Sequence, residues 1–175
     1  MAESTLRYHS VEGYPLRGER ITLLCYRLLC GFLASPQLAK LTEARLDDPI
    51  SGLRDEFEQV EIAHHLVEIA IYCRTAQDFF LRLTPLNADW LSNPVGSLKT
   101  QINNRRSEAL TFREACHKLI HAEDITWEVQ NEKGGHKRYL KPTVFLYGTK
   151  SRQKWKATLN VTQFVKEAFS LLRMV

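Results

Sequence analysis

Several features are missing from this 175-residue chain, and each absence removes a class of function. The four cysteines, Cys25, Cys30, Cys73 and Cys116, stand singly in apolar helical patterns and never form a Cys-x-x-Cys pair. That excludes a zinc knuckle and a disulfide framework, and it suits reduced, buried thiols in a cytoplasmic protein. There is no glycine-rich phosphate loop, nucleophile elbow or dinucleotide fingerprint, so no motif supports nucleotide-dependent or serine-hydrolase chemistry. The longest apolar run, Ile21 to Ala34, is interrupted by Arg27. It is also shorter than the ~20 residues a bilayer span needs, so a core helix and no membrane segment are expected.

A further absence is local. Between residues 133 and 156 there is no carboxylate, while Lys133, Lys137, Arg138, Lys141, Lys150, Arg152, Lys154 and Lys156 are all basic. The whole chain carries a formal charge of only +4, so the remainder is net acidic. Such asymmetry suits a polyanionic partner, and RNA is the one considered; a solvated hairpin attracted to an acidic helix of the same chain would explain it equally. Otherwise the composition, 44% apolar and 25% charged, is that of one ordinary globular domain spanning residues 1–175.

Periodicity divides that domain. Residues 1–16 read as an irregular arm, 17–124 as a helical bundle, 125–159 as an antiparallel β-meander and 160–175 as a closing helix, which makes the fold class α+β, mainly α. Within the bundle a helix runs over 17–34, and Ser35-Pro36 ends it and opens a short second helix. A long helix follows over 51–83 with two apolar stripes. One contains Leu53, Phe57, Val60, His64, Val67 and Ile71; the other contains Ile62, Leu66, Ile69, Cys73, Ala76, Phe80 and Leu83. Two stripes require two contacts, either within the bundle or with a second copy, and a homodimer is expected. Residues 84–100 read as a long loop, and the polar segment from Lys99 to Arg106 leads toward the next helix.

That next helix, over 111–124, carries the candidate chemistry. Thr111 and Glu114 have capping-box spacing, and Asn160 is placed to cap the closing helix. Arg113, His117, His121 and Asp124 recur along one face, and Phe112, Cys116 and Leu119 face the core. Two histidines a turn apart admit three readings: a metal site with Asp124 as a third ligand, acid/base chemistry on a phosphodiester with Arg113 as the phosphate clamp, or purely structural hydrogen bonding. Lys118 lies between the histidines and opposes the metal reading, so no metal or other cofactor is expected.

The segment Cys116-His117-Lys118-Leu119-Ile120-His121 resembles the motif helix of the HEPN superfamily, helical domains of which many cut RNA without a metal. The resemblance implies His121 as the family histidine, His117 as its polar neighbour and Cys116 where the family has its arginine. It also implies a helical bundle that often pairs two motif helices across a dimer. Cysteine lacks the permanent charge of arginine, so a catalytically degenerate relative is expected at least as much as a metal-independent endoribonuclease.

The leading expectation is therefore a HEPN-like RNA-binding or RNA-processing protein, with His121, His117 and Arg113 as catalytic candidates. Lys137, Arg138, Lys141, Lys150, Arg152 and Lys154 are its candidate nucleic-acid contacts, with Tyr139, Tyr147 and Trp155 interleaved. The alternatives are a non-enzymatic protein–protein interaction or dimerisation module and, less favoured, a metal-dependent hydrolase.

Overall fold

A computed structural model describes residues 10–11, 14–15, 18–43, 47–83, 92–102, 106–131 and 137–173. Most of the 1–16 arm, residues 84–91 of the expected loop and the Gly134-Gly135 turn lie outside these residues. Two short strands, β1 (Ser10–Val11) and β2 (Tyr14–Pro15), pair antiparallel ahead of the first helix, α1 (Gly18–Leu41). A short α2 (Pro49–Leu53) leads through a π-helical turn (Arg54–Glu58) into α3 (Gln59–Leu83). Then come β3 (Pro94–Lys99), β4 (Glu108–Thr111), α4 (Phe112–Ile120), β5 (Asp124–Asn131), β6 (Arg138–Lys150), β7 (Gln153–Asn160) and α5 (Val161–Leu172). The fold is α+β, mainly α, with the closing C-terminal helix in place.

The expected meander is β5-β6-β7, and the sheet extends it to five antiparallel strands in the order β4-β3-β7-β6-β5. Strand β3 comes from the segment that reads as loop, and β4 from residues that fall within the expected 17–124 helical bundle. Neither has clean alternation of its own: β3 begins with Pro94, and a register shift between Pro94 and Gly96 interrupts it. Strand β3 pairs with β7, some sixty residues away in sequence, and β4 joins the sheet through β3. Gly96 is required there, since a Cβ would fall 2.0 Å from the Thr158 carbonyl oxygen.

Helix α1 does not end at Ser35-Pro36 but runs unbroken through Pro36. A proline inside a helix costs about 3 kcal/mol, and contacts with β6 offset that. The buried Ser35 Oγ accepts a 2.8 Å bond from the Leu140 N–H, and Lys137 Nζ donates to the Lys40 carbonyl at 2.8 Å. The continuous helix is long and apolar enough to cross a membrane by length and composition alone. In this fold Ile21, Leu24, Cys25, Leu28 and Phe32 are buried on one of its faces.

The helices cover one face of the sheet. Its inner rows, Leu98–Ala157–Leu146 and Gly96–Leu159–Val144, meet α1, α4 and α5, and α3 packs on all three helices. Phe112 of α4 meets Phe164 of α5 with ring centroids 5.4 Å apart. Side-chain caps start both helices: Thr111 Oγ1 accepts from Glu114 N at 3.3 Å, and Asn160 Oδ1 from Gln163 N at 2.9 Å. Among the described side chains of the two α3 stripes, Ile62, Leu66, Ile69, Cys73 and Ala76 enter the core, while Val60 and Ile71 remain exposed; the side chains of Phe80 and Leu83 lie outside those described.

Near the β6–β7 hairpin, Trp155 lies flat over Gly148, where a Cβ would sit 2.3 Å from the ring. Gly148→Ala is expected to lose about 1–3 kcal/mol of stability in urea unfolding, because the ring has nowhere to move. Gly52→Ala, in a helix with no atom within 4 Å of the added methyl, is the control and should be neutral or slightly stabilising.

Candidate functional site

Helix α4 is shorter than the sequence suggests. It ends at Ile120, His121 serves as its C-cap, and Asp124 opens β5 instead of extending the helix face. The expected row of Arg113, His117, His121 and Asp124 is thus broken after His121. The two histidines do come together, their rings edge to face with centroids 4.6 Å apart. His121 is exposed and His117 half-buried. Among the described residues, no group of three or more His, Cys, Asp or Glu side chains converges as a metal site requires.

Arg113 is engaged elsewhere. Its Nη2 donates to Asp78 Oδ1 at 2.9 Å, and Asp78 Oδ2 also pairs with Arg74 Nε at 3.2 Å, which locks α4 to α3. Cys116, at the family's arginine position, is fully buried, with Gln77 Nε2 3.9 Å from its Sγ. The neighbouring thiol of Cys73 is pushed well above its ordinary value by its hydrogen bond to Cys116 and by burial, and burial pushes Cys25 up to about 11. These are inert interior thiols.

Lys118 has a role the sequence did not reveal. It is buried, with Nζ 3.3 Å from Glu114 Oε1 and 4.2 Å from the centroid of Trp155. Gly148, Trp155, Lys118 and Glu114 therefore form one stack that fixes α4 to the sheet. Trp155, interleaved among the basic residues on an alternating strand that favours the core, is on the inner face and unavailable to a ligand.

The six basic candidates split into two groups at opposite ends of β6, whose 13 residues extend about 40 Å. At the first end the Lys137 and Lys141 side chains and the Arg138 backbone are engaged internally. Lys137 holds the Lys40 carbonyl, Arg138 accepts at its own carbonyl from Arg54 Nη2 at 2.7 Å, and Lys141 pairs with Glu128 at 3.0 Å. At the second end Lys150, Arg152 and Lys154 are exposed around the hairpin. Its two-residue turn places Ser151 at φ 50° and Arg152 at φ 68°, so neither left-handed position has a glycine. Conformations of this kind cost of order 1 kcal/mol or more per residue and concentrate at functional sites.

Register adds Lys99 and Phe145, which sequence reasoning missed, to Lys156 and Tyr147 of the basic stretch. On the outer face, Lys99 of β3 lies directly opposite Lys156 of β7, which in turn lies opposite Tyr147 of β6 and then Asp124 of β5. The adjoining row is Ser97, Thr158, Phe145 and Thr126. Lys156 Nζ lies over both rings, 4.4 Å from the Phe145 centroid and 5.2 Å from that of Tyr147. Like charges directly opposite on paired strands are destabilising, and the Lys99–Lys156 pair faces solvent at half burial. Alternation around Leu146 could have placed Phe145 and Tyr147 on one face. Nothing local could have placed Lys99, because its strand read as loop.

The acidic long helix does not neutralise this cluster. The described ion pairs of its carboxylates run to Arg20, Arg54, Arg74, Arg113 and His65.

His117 titrates below its ordinary 6.5: burial lowers it most, Glu114 opposes, and His121, Lys118 and Arg74 lower it further. The folded state therefore holds this proton less tightly than the unfolded chain does. Its contribution is nil well above 6.5 and becomes a growing penalty as pH falls through and below that value. In urea unfolding, His117→Gln should lose stability less steeply than the wild type between neutral and mildly acidic pH, and the His117 ring signals should titrate below 6.5 by NMR.

Comparison with protein-family models, with curated proteins and with solved structures found no match to this chain.

Proposed function

We propose that this chain binds single-stranded RNA on the outer face of its sheet, and that it is a HEPN-like relative that does not cut RNA. The observation that carries the binding half is the Lys99–Lys156 register pair beside the rings of Phe145 and Tyr147. Two lysines opposed across a ladder repel each other until an anion lies between them, and a phosphate satisfies both. The half-buried rings of Tyr147, directly opposite Lys156, and of Phe145, on the next pair, lie under Lys156 Nζ and become flat surfaces for bases once that ammonium turns to a phosphate. Exposed Lys150, Arg152 and Lys154 continue the positive surface around the hairpin.

The non-cleaving half rests on α4. The capped helix and its two histidines support the HEPN likeness, but cleavage needs a cation free to hold the scissile phosphate. Arg113 is committed to Asp78, and the position of the family's arginine is a core thiol. His121 is left as an exposed imidazole.

Fluorescence anisotropy with a labelled single-stranded RNA, at stepped salt, tests both halves. Binding should weaken steeply as salt rises, and the log–log slope should shrink by about 0.7 for each of Lys99→Ala and Lys156→Ala. Phe145→Ala should lower affinity about tenfold, within the 1–3 kcal/mol that a stacked base contributes. The RNA should remain intact on a gel, and His121→Ala should bind like the wild type. Absence of binding at low salt, or binding indifferent to Lys99 and Lys156, would sink the first half. Cleavage that disappears in His121→Ala would sink the second.

A further inference from the structure

We infer that the outward faces of α1 and α3 together form the interface of a two-fold homodimer of this chain. On α1, Leu23, Tyr26, Leu33 and Leu41 are 45–74% exposed, and all lie opposite the face that enters the core. Leu53, Phe57, Val60 and Ile71 form the corresponding rib ahead of and along α3, at 46–60% exposure. The exposed surface of these eight side chains amounts to roughly 800 Å² per copy, the share that one partner contributes to a standard interface. Isolated exposed leucines need no explanation, but two ribs of this size on adjacent helices do.

The occupant follows from direction and charge. Gly31 lies against Ile62, Arg20 pairs with Glu68 at 2.7 Å, and Gly18 approaches Tyr72, so α1 and α3 run antiparallel and side by side. A two-fold axis along the seam between them lays α1 of each copy on α3 of the other, at unchanged height. Leu33 then meets the partner copy's rib at the level of Val60, Leu23 meets it near Ile71, and Leu41 near Leu53. Charge agrees with this docking. Arg27 and Lys40 flank the α1 rib, with Glu19 the acidic exception, whereas Asp55, Glu56 and Glu61 flank the α3 rib; Arg20 and Glu68 are already paired within one copy. The two ribs therefore meet at matching levels with opposite flanking charge, as an isologous contact requires. This interface lies on the helical side of the molecule and is independent of the sheet face assigned to RNA.

Analytical ultracentrifugation of the full chain should give twice the 20.3 kDa chain mass. Leu33→Glu and Val60→Lys should each weaken association about tenfold or more with the far-UV circular dichroism unchanged, since both side chains are exposed in the single copy. Combining Leu33→Glu with Val60→Lys should restore association, because the two-fold sets each new charge against its opposite. A wild type that stays monomeric at tens of micromolar would overturn the inference. So would a dimer indifferent to Leu33→Glu, or single variants that are not rescued in combination. A monomer that sediments with phosphatidylcholine vesicles through α1 would assign the face to a bilayer instead.

Discussion

The arrangement of this fold depends on how the unpaired half of one strand is satisfied. Strand β6 pairs with β7 only from Thr143 onward, so residues 138–142 have no strand neighbour on that edge. Unpaired backbone groups in a covered position are costly, and here the helical layer supplies the partners. Ser35 of α1 takes the Leu140 N–H, and Arg54 of the π-turn donates to the Arg138 carbonyl. Pro142 lies where no ladder N–H is needed, beside the register shift opposite Trp127 and Val129. These bonds set α1 and the start of α3 on the sheet, and they explain why α1 passes through Pro36. At the other end of the same strand, Gly148 lets Trp155 lie flat, and Lys118 closes over the ring.

With the helices fixed on one face, the molecule has two surfaces of different chemistry. The outer sheet face brings lysines and aromatic rings into adjacent rows, and the outward helical face shows two apolar ribs with basic and acidic flanks. Helix α4, which attracts attention by its histidines, lies between these surfaces as a structural strut. Its arginine, cysteine and lysine are all engaged by neighbours: Arg113 by Asp78, Cys116 by the interior, Lys118 by Trp155 and Glu114. The histidine pair lies at its C-terminal end, with His121 exposed, and Arg113 and Glu114 are part-exposed along the helix. Cations and thiols on a helix are therefore poor guides to chemistry until it is known which of them other elements have already claimed.

By itself the sequence determined what depends on neighbours a few residues apart. The Thr111 and Asn160 caps, the helical periods, the buried stripe of α3, the β5-β6-β7 alternation and the core placement of Cys116 were all legible, because backbone capping and side-chain period are local. Tertiary structure alone decided the rest. Strands β3 and β4 exist because β7 offers a distant edge, and α1 continues through Pro36 because β6 holds Ser35. Helix α4 stops at Ile120, which takes Asp124 out of the histidine row. The opposition of Lys99 and Lys156, the capture of Arg113 by Asp78 and the exposure of one apolar rib are likewise products of register and packing. Each joins residues far apart in the chain, and no period or spacing within either segment encodes which partner it will meet.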